Sequence, residues 1–536
     1  MYAPPVKEML FILHDVLGFT HDELDMETCE AVLEEASKLA SGVLAPLNKS
    51  GDEQGAVLDG DKVITAKGFK DAYKAYCEGG WNAVPFDPEY EGQGLPWALA
   101  FPIQEMWQGA NMSFGLCPLL NQGAVEAISS HGSQEQKDYF LPKLISGEWT
   151  GTMNLTESQA GSDLGLLRTK AEKQNDGSYE ITGQKIFITY GDHDLTDNII
   201  HLVLARATDA PEDVKGISLF VVPKIMKDGA KNNVSCIGLE HKLGIHASPT
   251  CTMDFDGAVG YLIGEENAGL KYMFTMMNNA RLCVGLQGVA IAERAYQHAL
   301  SYANERVQGK SFDSGERVVI AKHADVRRML LDMQSQVIAG RIMAYSAAIE
   351  LDKSALGDAM AKARVEFLTP IVKSWCTDMA VEVASTGIQV FGGMGFIEES
   401  GAAQYYRDAR ILPIYEGTNG IQALDFVFRK ILRDEGEMAK EFLAEMKGLV
   451  DDSYIEYLTD FGNHILSLAK DNNMDSVTWL ATPYLKAFST VLGGAVLANA
   501  ASKGQDIPLS DSHKSLNVLS EHYSKSIMPT IKIEYV

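Results

Sequence analysis

The sequence predicts an α+β fold in which a β-domain lies between helical domains and a helical extension follows. Apolar residues recur at helical spacing before and after the middle of the chain, and they alternate at strand spacing within it. A chain of 536 residues is also too long for a single core. We therefore predict an N-terminal helical domain over 1–149, a central β-barrel or sandwich domain over 150–262, a C-terminal four-helix bundle over 263–434 and a helical extension over 435–536.

The N-terminal domain is predicted from successive helical patterns. Residues 1–19, MYAPPVKEMLFILHDVLGF, have the pattern of an amphipathic helix rather than of a signal peptide. Apolar residues at helical spacing continue over 28–44, where Pro46 ends the pattern. Three further helices are predicted over 97–108, 123–131 and 135–144.

The β-domain is predicted from alternating apolar residues. Residues 179–189 form two alternating runs around a glycine, which is typical of a β-hairpin. Further strands are predicted over 199–205, 216–222 and 251–255.

The C-terminal bundle is predicted from long helical patterns over 272–306, 318–351, 358–387 and 420–433. Pro370 is expected to kink or interrupt the third of these helices. The extension should add helices over 441–450, 455–468, 477–501 and 513–527. Its most apolar stretch, 488–502, is too short to span a bilayer.

Charge and cysteine content exclude several classes of function. The chain has 46 Lys and Arg against 72 Asp and Glu, a net charge of −26, which argues against binding to nucleic acid or to anionic membranes. The seven cysteines are scattered and none has zinc-ligand spacing, so we expect a reduced, cytoplasmic protein. The acidic segment 192–197 is interpreted as a polar loop, and no metal is predicted.

Glu416 is the candidate general base. It follows the bulky Ile414 and Tyr415 and precedes Gly417, and Thr418 or Asn419 then provides an N-cap for a helix. The helix N-terminus favours the charged carboxylate, whereas apolar walls favour the neutral form. If a substrate completes those walls, desolvation should raise the pKa toward the working pH. The alternative is an ordinary first-turn glutamate.

Three motifs around Glu416 resemble the C-terminal signature of the flavin-dependent acyl-CoA dehydrogenases. They are Gln389–Gly393 (QVFGG), Arg407–Arg410 (RDAR) and Ile414–Thr418 (IYEGT). The resemblance implies that Glu416 removes the α-proton of an acyl-CoA thioester while the β-hydride passes to N5 of FAD. It implies that Gly417 contacts substrate, and that FAD contacts, some of them to the neighbouring subunit's FAD, come from Gln389, Phe391, Gly392, Gly393, Thr418 and Asn419.

Two motifs of the β-domain resemble the same family. Residues 154–164, NLTESQAGSDL, are similar to its Thr-Glu-x-x-x-Gly-Ser-Asp signature, although Ser158 stands where many relatives have proline. Residues 187–189, FIT, stand where relatives often carry Trp-x-Thr. A polar turn and a plain strand are the alternative interpretations. The resemblance assigns Ser162 to substrate and the following residues to the flavin: Met153, Leu155, Thr156, Phe187 and Thr189.

Two motifs of the C-terminal bundle extend the resemblance. It implies that Asn278 and Arg281 contact substrate, although Asn278 replaces an aspartate common in relatives. A few relatives place the catalytic glutamate at the position of Ala280, which leaves Glu416 as the candidate here. Arg306 is similar to an arginine that binds the FAD pyrophosphate, for which a guanidinium is well suited. His323 matches an FAD contact, or is a surface residue.

The resemblance therefore implies an FAD-dependent acyl-CoA dehydrogenase. Within the family, four segments resemble the bacterial 3-methylmercaptopropionyl-CoA dehydrogenases of dimethylsulfoniopropionate breakdown, namely 1–17, 191–194, 397–410 and 416–423. That branch implies oxidation of 3-methylmercaptopropionyl-CoA to methylthioacryloyl-CoA, a homodimer, and electron-transfer flavoprotein as acceptor. The alternatives are a short- or medium-chain fatty acyl-CoA dehydrogenase, an acyl-CoA oxidase, and a nucleic-acid-binding flavoprotein relative.

Overall fold

Helices form both ends of the chain and strands form its middle in the computed structural model, which describes residues 2–504 and 515–531. The N-terminal part contains α1 (Val6–Phe11), α2 (Met26–Leu39), α3 (Pro46–Gln54), β1 (Val57–Asp59), β2 (Lys62–Ile64), α4 (Phe69–Glu78), α5 (Trp97–Ala110), α6 (Met112–His131) and α7 (Gln134–Ser146). The short β1–β2 hairpin was not predicted from the sequence.

The middle of the chain contains the main sheet. Its strands are β3 (Trp149–Asn154), β4 (Lys170–Lys173), β5 (Tyr179–Thr189), β6 (Asn198–Ala207), β7 (Ile217–Pro223), β8 (Val234–Leu239) and β9 (Thr250–Leu262). Strands β6, β4, β5, β9 and β7 pair in that order, and β7 pairs with β6 to close the ring. Strand β3 runs parallel to β6, and β8 pairs with β9. The strands predicted over 199–205, 216–222 and 251–255 are confirmed as β6, β7 and the start of β9.

The hairpin predicted over 179–189 is wrong, because these residues form one continuous strand, β5. Gly183 has φ 151°, a backbone conformation that residues with a side chain rarely adopt, and it pairs with Phe255 of β9. A Cβ there would lie 2.6 Å from Oγ1 of Thr169 and 2.9 Å from its Cα. The glycine therefore allows a close approach of the backbone next to a bulge and does not form a turn.

The C-terminal part is again helical. It contains α8 (Gly269–Glu305), β10 (Val307–Lys310), β11 (Arg317–Val319), α9 (Ala324–Ala355), α10 (Ala359–Phe391), α11 (Ala402–Ala409), α12 (Asn419–Asp425), α13 (Glu437–Met446), α14 (Asp452–Lys470), α15 (Met474–Lys503) and α16 (Leu516–Ser526). Interruption of a helix at Pro370 is wrong, because α10 continues through the proline. Residues on both sides of Pro370, such as Leu368 and Ile371, are buried, and this packing offsets the missing main-chain hydrogen bond.

The four helices predicted in the extension correspond to α13–α16, although His513 at the start of the last prediction lies outside the described residues. Helix α15 packs against α9, α10 and α12. It begins well before residue 488, and among the described helices it is the one with the length and composition to cross a membrane, yet 78% of its most apolar stretch is buried in the protein.

The described residues divide into two units. The first lies within Met1–Ser41, Trp97–Ala110 and Arg281–Val536, and the second consists of Gly42–Pro96 and Asn111–Ala280. The second unit contains the sheet. The first contains the C-terminal helices and the Glu416 loop.

A buried cluster of charges joins four helices of the first unit. Arg341 of α9 is fully buried and donates hydrogen bonds to Glu8 of α1, to Glu105 of α5 at 2.6 Å and to Glu293 of α8 at 2.9 Å. The hydroxyl of Tyr345 donates a further bond to Glu105 at 2.7 Å. Burial raises the pKa of Glu8 to about 7. A single guanidinium thus compensates several carboxylates within the helical core.

Candidate active site

Glu416 lies in a short loop directly before α12. Thr418 is the N-cap of that helix, with its hydroxyl accepting a hydrogen bond from the N–H of Ile421 at 3.3 Å. Glu416 has φ 55° and Gly417 has φ 86°, so two successive residues adopt left-handed backbone. A glutamate pays a steric penalty for that conformation, and such strain is concentrated at functional sites. The backbone thus points the carboxylate in a direction that an ordinary helical start would not give.

The residues on either side of Glu416 are anchored to neighbouring helices. The hydroxyl of Tyr415 donates to Oε1 of Gln287 on α8 at 2.5 Å, and Gln287 donates to Gln108 of α5 at 3.1 Å. A Cβ on Gly417 would lie only 2.8 Å from Nε2 of Gln422 and 3.6 Å from Nη2 of Arg281. The lack of a side chain at Gly417 therefore lets the loop pack closely against α12 and α8.

The charge of Glu416 is balanced between burial and two cations. Burial raises the pKa of its carboxyl above the ordinary value, while Arg281 and Lys373 act in the opposite direction. The sequence predicted a rise once a substrate completes the apolar walls, whereas burial in the chain itself already raises this pKa. The positive charges of Arg281 and Lys373 oppose the desolvation, a contribution that the sequence did not show. A partly exposed carboxylate with a raised pKa is a stronger base than an ordinary glutamate.

Lys373 was not predicted as a site residue. It lies on α10, far from Glu416 in sequence, and its side chain is completely buried. Burial lowers the pKa of its amine to about 7. The sequence carried a signal, because Lys373 interrupts the apolar helical run 367–372 (FLTPIV), where a surface lysine is not expected.

The predicted flavin residues of the β-domain lie close together in the second unit. Met153 lies in β3, and Leu155 and Thr156 directly follow the end of that strand at Asn154. The N–H of Ile186 donates to the carbonyl of Thr156 at 2.9 Å, which places β5 beside this loop. Phe187 next to it has φ 60° and leaves 57% of its surface exposed. An exposed ring held on a bulge beside a loop of small side chains fits the face of a flat heterocycle such as the isoalloxazine of FAD.

A buried ion pair beneath this loop was also missed. Lys185 of β5 donates to Glu157 at 2.8 Å and to the carbonyl of Leu155 at 3.0 Å. Glu157 also accepts from the N–H groups of Arg168 and Thr169. The pKa of Glu157 is lowered to about 2, because the charge of Lys185 and these hydrogen bonds outweigh the effect of burial, which alone would raise it. The ion pair holds the loop in one shape. The sequence could have indicated this pair, because Lys185 stands at a position of β5 whose side chain points inward.

The remaining predicted site residues differ in burial and belong to both units. Phe391 stacks on Tyr302 with ring centroids 4.2 Å apart, so its ring packs within the helical unit. The imidazole of His323 donates to the carbonyl of Gln308 at 2.7 Å. Arg281 is buried and Thr189 is half-buried. The following residues are exposed: Ser162, Asn278, Arg306, Gln389, Gly392 and Gly393. Their contacts with cofactor or substrate stay predictions.

Acidic segment 192–197 is less exposed than a surface loop would be. Asp192 and His193 are buried, Asp192 pairs with Lys224, and Asp194 accepts from the hydroxyl of Thr65 at 2.7 Å. Within the described residues, no group of three or more His, Cys, Asp or Glu side chains could hold a metal ion. The segment therefore has internal partners for its charges.

Comparisons with known proteins agree with this geometry. Models of the N-terminal, middle and C-terminal domains of acyl-CoA dehydrogenase match residues 26–148, 152–258 and 267–431. The chain is 50% identical to 3-methylmercaptopropionyl-CoA dehydrogenase of Ruegeria pomeroyi over 463 residues, which cover 83% of this chain and 79% of that protein.

Two solved structures share the fold. Butyryl-CoA dehydrogenase of Megasphaera elsdenii is 27% identical, with a TM-score of 0.65 over 76% of this chain and 98% of that one. An acyl-CoA dehydrogenase of Bacillus anthracis, solved in complex with FAD, has a TM-score of 0.77 at 22% identity and covers 96% of this chain and 88% of its own. The three matched domains and the 50% identity to a curated relative establish that the chain belongs to the acyl-CoA dehydrogenase family, whose members are FAD-dependent oxidoreductases.

Proposed function

We propose that the protein oxidises 3-methylmercaptopropionyl-CoA to methylthioacryloyl-CoA, with Glu416 as the base. The observation that supports the reaction is the strained, half-buried carboxylate of Glu416 with its raised pKa. The observation that supports the substrate is the 50% identity to an enzyme of that name. Glu416 lies within residues 267–431, which match the C-terminal domain of the family.

The residues of the chain supply proton transfer and orientation. Glu416 accepts the α-proton of the thioester, and its raised pKa makes it a stronger base than an exposed glutamate. Tyr415 and Gly417 hold the loop so that the carboxylate keeps one direction. Met153, Leu155, Thr156 and Phe187 would hold the flavin ring. FAD, when bound, accepts the hydride that leaves the β-carbon.

A straight short-chain acyl-CoA is the second candidate substrate. The structural similarity to a butyryl-CoA dehydrogenase favours it. The thioether substrate and a straight acyl chain of similar length differ little in shape, and apolar pockets separate such ligands weakly. The two candidates must therefore be distinguished by measurement.

Anaerobic reduction of the flavin by a panel of acyl-CoAs tests the proposal. The purified protein is mixed with 3-methylmercaptopropionyl-CoA, butyryl-CoA, hexanoyl-CoA or octanoyl-CoA, and the loss of flavin absorption is followed. We expect the first compound to reduce the flavin fastest when all the compounds are compared at the same concentration. Faster bleaching by butyryl-CoA would assign the enzyme to short straight chains, and no bleaching by any compound would refute the dehydrogenase.

The electron acceptor and the compartment form part of the same proposal. We infer that electrons pass to an electron-transfer flavoprotein, which can be tested by supplying that protein and following its reduction. Rapid peroxide formation in air without it would indicate an oxidase instead. We also propose a cytoplasmic location, supported by seven cysteines that are all free thiols.

We further propose a homodimer. Next to Gly392 and Gly393, the apolar side chains of Met394, Phe396 and Ile397 are 50%, 87% and 45% exposed in the isolated chain. A contiguous apolar segment of this kind is typical of a surface that another subunit covers. The QVFGG motif that precedes it is the one for which the family resemblance implies contact with a neighbouring subunit's FAD.

A further inference from the structure

A buried lysine, Lys373 of α10, contacts the end of the loop that carries Glu416. The side chain of Lys373 on α10 has no exposed surface, which is rare for lysine unless its charge is compensated. Its Nζ donates a hydrogen bond to Oδ1 of Asn419 at 2.9 Å. The proposed proton transfer does not by itself require a lysine at this position.

Asn419 connects this lysine to the catalytic loop. It is the first residue of α12, three positions after Glu416. Its side-chain amide lies 3.1 Å from the carbonyl of Ser374, 3.0 Å from Oγ1 of Thr377 and 2.8 Å from Oδ1 of Asp378. These acceptors belong to one turn of α10. The amide nitrogen of Asn419 therefore anchors the end of the Glu416 loop to α10. Lys373 donates to the oxygen of the same amide.

The electrostatic surroundings couple Lys373 to Glu416. Lys373 experiences the negative charges of Glu416 and Asp378 and the positive charge of Arg281. Glu416 in turn experiences Arg281 and Lys373. Asp378 is also faced by Lys486 of α15 and by Arg410. A cation in a buried site acts strongly on a nearby carboxylate because little water screens it.

We propose that Lys373 is a positioning residue for the dehydrogenation: through Asn419 it fixes the loop of Glu416, and its charge favours the ionised carboxylate that accepts the α-proton. The inference rests on the proposed role of Glu416 as the base. Without the ammonium, burial would keep the carboxyl protonated to a higher pH, and fewer enzyme molecules would be competent at neutral pH.

The test compares two neutral variants, Lys373→Met and Lys373→Gln, with the charge-retaining Lys373→Arg in the FAD-loaded protein. The glutamine variant keeps a donor for Asn419, so it separates loss of charge from loss of the hydrogen bond. Lys362→Met is the matched control, because Lys362 is an exposed lysine on the same helix.

Two readouts are followed against pH. One is turnover of 3-methylmercaptopropionyl-CoA. The other is exchange of the α-hydrogens of acetyl-CoA with deuterated solvent, measured by mass spectrometry. Acetyl-CoA has no β-carbon, so its exchange reports the action of the base without any hydride transfer.

We expect the acid limb of both profiles to move to higher pH by about one unit or more in the two neutral variants, because loss of a nearby opposite charge raises a carboxyl pKa by this amount. At pH values on the acid side of the limb, the turnover and exchange rates of the neutral variants should be about tenfold lower than those of the wild type. The difference should narrow at high pH, where Lys373 itself loses its proton. Lys373→Arg and Lys362→Met should keep the wild-type limb.

A neutral variant that lowers both rates by the same factor at every pH would overturn the proposal, because Lys373 would then act only on folding. An equal shift in Lys362→Met would also overturn it. Failure of the proposed function gives a different result: Glu416→Gln would then retain both exchange and turnover. Loss of exchange in Glu416→Gln, with no shift in the Lys373 variants, would refute this inference alone.

Discussion

Glu416 combines three properties that make it the most testable residue of the chain. Its backbone is left-handed, its carboxyl is desolvated enough to raise its pKa, and two cations limit that rise. The family resemblance predicted this residue as the base, a role that stays a prediction, and its apolar neighbours predicted desolvation that raises its pKa. The sequence could not predict that Arg281 and Lys373 act on this carboxyl, because only the packing of α8 and α10 brings their charges near it.

Replacing Glu416 with glutamine should abolish most of the activity. The amide has nearly the same shape but cannot accept the α-proton, so kcat should fall by ~10²–10⁴-fold, the usual contribution of a general base. Turnover and flavin content are measured together, and we expect the flavin content to be unchanged.

Glu435→Gln provides the matched control for this substitution. Glu435 is another glutamate with positive φ, at 56°, but it is exposed and lies beyond the catalytic loop. Its variant should turn over at the wild-type rate. If Glu416→Gln binds flavin and keeps near-normal turnover, the assignment of the base is wrong.

The strand that is predicted to contact the flavin, β5, shows what residue patterns can and cannot reveal. The family motif predicted Met153, Leu155, Thr156 and Phe187, and the structure brings them to one region of the second unit. The ion pair that shapes this region was missed, since Glu157 within the motif and Lys185 on β5 are far apart in sequence. Contacts of this kind depend on strand register, which an alternating pattern does not specify.

At the scale of elements, the existence and type of the long segments were predicted well, and the local exceptions were not. The long helices and most strands follow from apolar spacing. Gly183 was interpreted as a turn and Pro370 as a kink or an interruption, yet a strand and a helix continue through them. In each case tertiary packing outweighs the local preference, because Gly183 allows close approach to Thr169 and α10 is buried around Pro370.

The four helices that meet at Arg341 should depend strongly on its charge. Arg341→Met would leave Glu8, Glu105 and Glu293 buried without a cation, and uncompensated buried charge costs ~3–5 kcal/mol. We expect a much lower thermal midpoint or a loss of soluble protein.

Arg328→Met on the same helix is the control. Its side chain is 53% exposed and pairs with Asp325 and Asp332 at the surface, so its removal should cost less than about 1 kcal/mol. Thermal unfolding of the two variants is compared under identical conditions. Equal midpoints would show that the buried cluster does not hold α1, α5, α8 and α9 together.

At the scale of the whole molecule, the proposed dimer makes a prediction about the exposed segment after α10. Phe396→Glu places a charge in the apolar surface of Met394, Phe396 and Ile397, and burying an unpaired charge is unfavourable. We expect sedimentation to show a shift from dimer to monomer, and we expect lower flavin content because the neighbouring QVFGG motif would lose its partner.

Leu356→Glu tests whether any exposed apolar residue would have this effect. Leu356 is 90% exposed between α9 and α10, close to the 87% of Phe396, and no family motif lies beside it. It should remain dimeric with full flavin content. A wild-type protein that sediments as a monomer at all concentrations would contradict the proposed assembly.

The hydroxyl of Tyr415 has a consequence for repeated turnover. Burial and the adjacent Glu416 raise its pKa well above the usual value, so it stays a neutral donor to Gln287 whichever protonation state the carboxyl adopts. In the proposed reaction, Glu416 would gain and lose a proton while the hydrogen bond from Tyr415 to Gln287 is kept. The loop would then have the same anchor at the start of each turnover.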